Sequence, residues 1–246
     1  MLIAHLSDLH LDTSRRSGER AERVIDHVRA LSPRPDLVLV TGDVADHGAP
    51  EEYDQAAALL AGLDAHLVPG NHDRRPTMRA ALGLRGDGPI TRRIEVGRTV
   101  VVLADSHVPG HDHGKLAPES VALIEDAAAE RRPLVVALHH PPMAIGSGLI
   151  DPIRLLDPEP LLAPLRAHEA PRVVLCGHAH TALGADVGGV PVRIAPGVAS
   201  TLRLPYEPEP DSLDGQAPPG LALHHLDEGS GELHTHVRAL TASPGP

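Results

Sequence analysis

At 246 residues and 41% hydrophobic composition, the chain has enough material to bury the core of one large α/β domain or two small ones, so disorder is not the default reading. Lys and Arg number 22 against 33 Asp and Glu, a net charge of −11 that argues against extended nucleic-acid binding unless a local patch or bound cations intervene. A single cysteine excludes an internal disulfide, and neither a signal-type leader nor a transmembrane stretch is visible, which reads as a soluble cytoplasmic protein.

In chain order, "LIAHL", "DLVLVTG", "AHLVPG", "TVVVLADS", "LVVALHH" and "RVVLCGH" are short apolar, β-branched runs expected to form buried strands. Between them, "GERAERVIDHVRALS", "APEEYDQAAALLAGL", "PESVALIEDAAAERR" and "DPEPLLAPLRAHEA" space their apolar residues as helices do, with Pro or acidic residues near several starts. This alternation predicts an α/β layered fold. Further along, "ALGADV" with "VPVRIA", and "GLALHHL" with "ELHTHVRAL", predict antiparallel hairpins, as does "IEV" with "RTVVVL" about Gly97. Mixed sheets follow. The Pro-rich stretch 205–220 is expected to be a surface loop, and 241–246 a flexible tail.

Chemistry collects where strands end. "LSDLH" supplies Asp8 and His10, "TGDVAD" supplies Asp43 and Asp46, "PGNHD" supplies Asn71, His72 and Asp73, "ALHHPP" supplies His139 and His140, and "LCGHAH" supplies His178 and His180. Any one of these reads as a turn or helix cap when taken alone. In open α/β sheets, however, ligands bind outside the carboxyl ends of the strands, so five such clusters predict one shared site. Strand alternation is expected to point Asp8 with His10, and His178 with His180, toward one region. Carboxylate and imidazole without thiolate suit Mn, Fe, Co or Zn, and the donors outnumber the needs of a single ion. Two ions about 3.5–4 Å apart would clamp a phosphoryl group.

With these residues in hand, the chain resembles the calcineurin-like metallophosphoesterase superfamily, within it the class III cyclic nucleotide phosphodiesterases and related glycerophosphodiesterases. The resemblance rests on "SDLH", "TGDVADHG", "PGNHD", "HHPP" and "GHAH", in family order from residue 7 to residue 180. It implies a four-layer αββα sandwich of two mixed β-sheets flanked by helices, with residues 1–240 as one metallophosphoesterase domain. It implies two transition-metal ions (Fe, Mn, Zn or Co), the first held by Asp8, His10 and His180, the second by Asn71, His139 and His178, and Asp43 bridging. It also implies a metal-bound hydroxide as nucleophile, His72 facing the phosphate, and Asp46 orienting His72. Asp73, His140 and Pro141 are expected to be structural.

Where superfamily protein phosphatases carry Arg after the orienting Asp, this chain has His47, which weakens that reading. Segments around 104–116 and 139–160 resemble those bordering the substrate pocket in the cyclic nucleotide branch; residues 143–160 are expected to act as a lid, with Gly146-Ser147-Gly148 allowing movement. The implied substrate is a small phosphodiester, foremost a 3′,5′-cyclic nucleotide such as cAMP, with glycerophosphodiesters or a broad monoester and diester range as the alternative and a noncatalytic scaffold as the remote one. Relatives of this kind are often oligomeric, which extends here to a homodimer or higher homo-oligomer. His111 and His113 read as a solvated loop, some of His224, His225, His234 and His236 as an exposed hairpin face, and Cys176 as a buried, unreactive thiol.

Overall fold

The computed structural model describes residues 1–241, so the expected tail falls, apart from Thr241, outside the described residues. The elements run β1 (Leu2–Leu6), α1 (Arg15–Arg29), β2 (Leu37–Thr41), α2 (Pro50–Leu60), β3 (Ala65–Val68), α3 (Arg75–Leu82), β4 (Arg92–Val96), β5 (Thr99–Leu103), α4 (Pro118–Ala128) and β6 (Leu134–Ala137). They continue with α5 (Glu159–Ala167), β7 (Arg172–Cys176), β8 (Leu183–Asp186), β9 (Pro191–Ile194), β10 (Thr201–Leu202), β11 (Leu213–Asp214), β12 (Gly220–Leu226) and β13 (Leu233–Ala239). A five-stranded sheet is ordered β13-β12-β1-β2-β3 and a six-stranded one β4-β5-β6-β7-β9-β8. Each has a parallel centre and antiparallel edge pairs: β1, β2 and β3 are parallel, as are β5, β6, β7 and β9, while β12, β13, β4 and β8 pair antiparallel. All three expected hairpins are present.

Alternation along the strands divides the core into three layers, and three apolar layers require four layers of elements. On β2, Val38 and Val40 face α1 and α2, while Leu37 and Leu39 face the other sheet. On β5, Val100 and Val102 join the cluster of α4 and α5, and Val101 and Leu103 turn inward. The layer between the sheets is closed by Ile3, Val68, Val135, Val173, Leu175 and Leu226. Each fully buried aliphatic side chain contributes about 1.5–3 kcal/mol, so this layer is a principal reason the two sheets stay face to face. The architecture is the αββα sandwich that the resemblance implies.

Three of these elements, α3, β10 and β11, escape the sequence reading. Helix α3 is eight residues long with only Met78 buried, too short to show a period, and Gly83 ends it in the left-handed region (φ 64). Within the Pro-rich stretch, Leu213 and Asp214 pair with β10 as β11. No helix among the described residues is long and apolar enough to cross a membrane.

Candidate metal centre and active site

Strands β1, β2 and β3 of one sheet and β6 and β7 of the other end at a common edge, and the loops leaving them interlock. The backbone N–H of Asp8 donates to the Gly42 carbonyl (3.1 Å) and that of His10 to the Asp43 carbonyl (2.9 Å), tying the first two loops. The N–H of His178, from the other sheet, donates to both carboxylate oxygens of Asp8, at 3.1 Å each. Strand alternation does not align the ligand pairs, because β1 stops at Leu6 and β7 at Cys176, before either pair begins. Instead, Asp8, His10, Asp43, His178 and His180 all hold positive φ, from 39 to 68 degrees. A left-handed conformation in five non-glycine residues is costly, and strain of this kind collects where side chains must be aimed.

The side chains form two groups that meet at Asp43. One oxygen of its carboxylate, Oδ2, lies 3.4 Å from His10 Nε2 and 3.4 Å from His139 Nε2, while Oδ1 accepts from the backbone N–H of His72 (3.0 Å). On the first side, His180 Nε2 lies 3.2 Å from His10 Nε2 and 3.6 Å from Asp8 Oδ1. On the second, His139 Nε2 lies 3.1 Å from Asn71 Oδ1 and 3.1 Å from His178 Nδ1. Asp8, His10 and His180 can bring one ligand atom each within 4.8 Å of one another, and so can Asp8, Asp43 and His139.

The donor chemistry fits metal. His10 Nδ1 bonds the Asp46 carboxylate (2.8 Å) and His139 Nδ1 the Thr41 carbonyl (2.7 Å). Both partners only accept, so each neutral ring keeps its proton on Nδ1 and turns a lone pair on Nε2 toward Asp43. Ser200 Oγ, which can donate or accept, lies 2.8 Å from His180 Nδ1 and orients that ring. Burial alone would lower His10 and His139, yet Asp46, Asp43 and Asp8 beside the first, and Asp43 and Asp8 beside the second, push both up to about 9. Burial would raise the Asp43 carboxyl, but His139, His10 and His72 hold it well below the usual carboxylate range. The cluster therefore stabilises positive charge. Thr41, which sets one of these rings, opens the second motif, whereas Ser200, which sets another, lies 20 residues past His180 and carries no sequence signal.

Asp46 meets His72 through its backbone rather than its carboxylate. Its carboxylate engages His10, and His72 Nδ1 instead lies 2.7 Å from the Asp46 backbone carbonyl, with the nearest Asp46 carboxylate oxygen at 3.7 Å. The half-buried His10 ring, edge-on to His72 with the centroids 4.6 Å apart, holds that carboxylate. Asp73 lies away from the ligands and accepts from the N–H groups of Val44, Ala45 and Gly70 and from Tyr53, which ties the second and third loops together. Burial, with Asp43 nearby, pushes it up to about 6. His140 spends both ring nitrogens, on Ser106 Oγ (2.8 Å) and the Asp112 carbonyl (3.1 Å). Burial pushes the Cys176 thiol up, so it stays protonated.

A cavity of about 640 Å³ opens over the centre, with Leu149, Ile150, Ile153 and Leu213 as an aliphatic wall and His10, Asn71 and His72 at its floor. The wall joins the 143–160 segment to the Pro-rich stretch, and Ser147 Oγ (2.7 Å) and the Gly148 N–H (3.1 Å) both donate to Asp211. Arg20 of α1 fixes the far side through the carbonyls of Val198 (2.9 Å), Gly215 (3.1 Å) and Ala217 (2.8 Å). The Pro-rich stretch thus borders the site.

The sequence model described as calcineurin-like phosphoesterase matches residues 1–182, which contain all five motif loops. A 3′,5′-cyclic adenosine monophosphate phosphodiesterase of Pseudomonas aeruginosa is 34% identical over 93% of this chain and 87% of its own length. A glycerophosphodiester phosphodiesterase of Enterobacter lignolyticus is 28% identical over 99% of this chain and 94% of its own. Among solved structures, a dimetal phosphatase from Danio rerio superposes with a TM-score of 0.74 at 15% identity, covering 98% of this chain and 96% of that one, which supports the fold. Five ordered loops, two imidazole and carboxylate groups sharing one aspartate, and a matching fold have a single common explanation: the chain belongs to the calcineurin-like phosphoesterase family and is a hydrolase of phosphoric esters built around a metal-binding histidine and aspartate cluster.

Proposed function

We propose that this protein is a binuclear metal-dependent phosphodiesterase acting on 3′,5′-cyclic nucleotides, cyclic AMP foremost. The observation that carries the reading is Asp43 Oδ2, equidistant from His10 Nε2 and His139 Nε2 at 3.4 Å, as a carboxylate shared by two ions requires. Asp8, His10 and His180 would hold one ion and Asn71, His139 and His178 the other. Imidazole, carboxylate and one neutral amide, with no thiolate, suit Mn, Fe, Co or Zn. Two such ions supply Lewis acidity, neutralising the phosphate and lowering the pKa of water toward neutrality.

The chain's own residues do the rest. The Asp46 carbonyl only accepts, so it keeps a proton on His72 Nδ1 and leaves Nε2 to face the cavity and exchange a proton with the departing oxygen. The His72 backbone N–H fixes the second oxygen of Asp43, so one residue sets both the bridge and the proton donor. The aliphatic wall offers an apolar surface for a base, in a chain with no Phe and no Trp. The 34% identical relative is named for cyclic AMP, which agrees with that surface. The single buried Cys176 suits a reducing compartment such as the cytoplasm.

His72→Asn is expected to lower turnover of cyclic AMP by about 10²–10⁴-fold while two ions per chain remain, measured by elemental analysis beside the assay. Asn71→Ala is expected to lose the second ion first. Full activity in both variants would overturn the reading.

A further inference from the structure

The aliphatic wall over the centre is built from two stretches far apart in sequence. Leu149, Ile150 and Ile153 come from residues 143–160, and Leu213 comes from residues 205–220. Five large hydrophobic side chains among the described residues are exposed, and two of them, Leu149 (40%) and Leu213 (49%), line this cavity from opposite stretches. Exposed apolar surface is stabilised by being covered, so a ligand with an apolar face gains most when both leucines are held at the right separation.

Each stretch is anchored at its base. The Leu155 N–H donates to the Pro141 carbonyl (3.1 Å), and Leu155 bridges to Gly114. On the other side β11 pairs with β10, where the Leu202 N–H donates to the carbonyl of His180 (3.1 Å). The tips meet at one atom. Among the described residues, the hydrogen bonds between the two stretches are those from Ser147 Oγ (2.7 Å) and the Gly148 N–H (3.1 Å), and both end on Asp211 Oδ1.

The joint is closely built. Ser147 is 1% exposed, and its Oγ also accepts from the N–H groups of Leu149 (3.2 Å) and Ile150 (3.3 Å), so its one donor and two acceptor positions are all in use. The same oxygen therefore fixes the chain that carries one half of the wall and ties it to Asp211, two residues before the other half. Asp211 holds left-handed backbone (φ 52), strain of the kind that collects where a side chain must be aimed. An added Cβ on Gly148 would come within 3.1 Å of Asp211 Oδ2, a measure of how closely the two stretches approach.

We infer that Ser147 and Asp211 are positioning residues that determine specificity: their bond sets the separation of the two halves of the wall, and that separation selects phosphodiesters carrying a base over those without one. The inference rests on the proposed hydrolysis of cyclic nucleotides and names what fixes its preference. Neither residue lines the cavity, so both act through Leu149, Ile150 and Leu213. Without the bond the anchored bases stay in place, while the tips are free to separate and the buried hydroxyl loses its acceptor.

Cyclic AMP and the 3′,5′-cyclic phosphate of 1-deoxyribose share the reacting ring and differ in the base. The wild-type protein is expected to show kcat/KM about tenfold higher for cyclic AMP. Asp211→Ala is expected to bring that ratio close to one, through KM for cyclic AMP rather than kcat. Asp211→Asn keeps an oxygen acceptor for both donors and is expected to retain most of the preference. Ser147→Ala should lower the ratio as Asp211→Ala does, and the two substitutions together should lower it no further, as one shared bond requires. A wild type without preference overturns the inference and leaves the proposed function standing. So does a ratio unchanged in Asp211→Ala, a ratio as low in Asp211→Asn as in Asp211→Ala, or a double variant whose losses add. Cleavage of neither compound by the wild type overturns both.

Discussion

Two buried groups of histidines in this molecule behave in opposite ways. At the sheet edge, His10 and His139 sit among Asp8, Asp43 and Asp46 and are pushed up to about 9. Between the sheets, His5 of β1 and His224 of β12 face each other in the apolar layer, with His5 Nδ1 3.1 Å from His224 Nε2. Their outer nitrogens reach Thr41 Oγ1 (2.8 Å) and Thr235 Oγ1 (2.9 Å), and no carboxylate among the described residues acts on either ring. Burial, with His224 facing it, holds His5 well below its ordinary value, and burial with Arg193 nearby holds His224 at about 3. Desolvation is common to both groups, so the carboxylates decide whether a buried imidazole becomes a cation site or a neutral core residue. An inventory of 18 histidines does not distinguish them.

The comparison breaks most severely at the shared carboxylate. Asp43→Asn keeps the shape and removes the charge between the two groups; turnover is expected to drop by about 10³-fold or more, with fewer than two ions bound per chain. Unchanged metal content would show that Asp43 does not bridge. Next comes Gly70→Ala, whose Cβ would lie 2.1 Å from Asp43 Oδ1 and 2.4 Å from its backbone nitrogen. Displacing that loop by even about 1 Å is expected to cost roughly 10²-fold in turnover, a loss that a persistent far-ultraviolet dichroism spectrum would separate from unfolding.

Asp46→Ala tests how the edge histidines are oriented. Because the carboxylate holds His10, metal affinity should fall about 10–100-fold, and activity should return at saturating metal since the His72 acceptor is a backbone carbonyl. An activity loss that saturating metal does not repair would place the carboxylate on His72 after all. The smallest effect belongs to the inner pair. Their folded pKa values lie below the unfolded value of about 6.5, so the stability they contribute is complete above pH 6.5 and declines as pH falls toward 3, where His224 protonates in the fold. Each is expected to add a slope of about 1.4 kcal/mol per pH unit to the acid limb of urea-unfolding measurements. A doubly substituted protein, His5→Leu with His224→Leu, should lose that slope and keep metal binding at neutral pH.

Much of this was legible in the residues alone. The apolar runs marked the strands of the parallel centres, Gly97, Gly188-Gly189 and "DEGSG" marked the hairpins, and the five strand-end motifs marked which loops would meet. These features are local, carried by composition, period and turn chemistry within about ten residues. What needed the tertiary structure depends on approach from elsewhere in the chain. Left-handed backbone at Asp8, His10, Asp43, His178 and His180, rather than strand alternation, aims the ligands, and it persists only because interlocked loops hold it. The choice of Asp46 between His10 and His72, the wall shared by Leu149 and Leu213, and the bond from Ser147 to Asp211 each involve residues far apart in sequence. Sequence by itself determined which side chains could bind metal and on which strand ends they lie. Only the folded chain decided which nitrogen faces which oxygen, because hydrogen bonds and desolvation are set by neighbours that the linear order does not name.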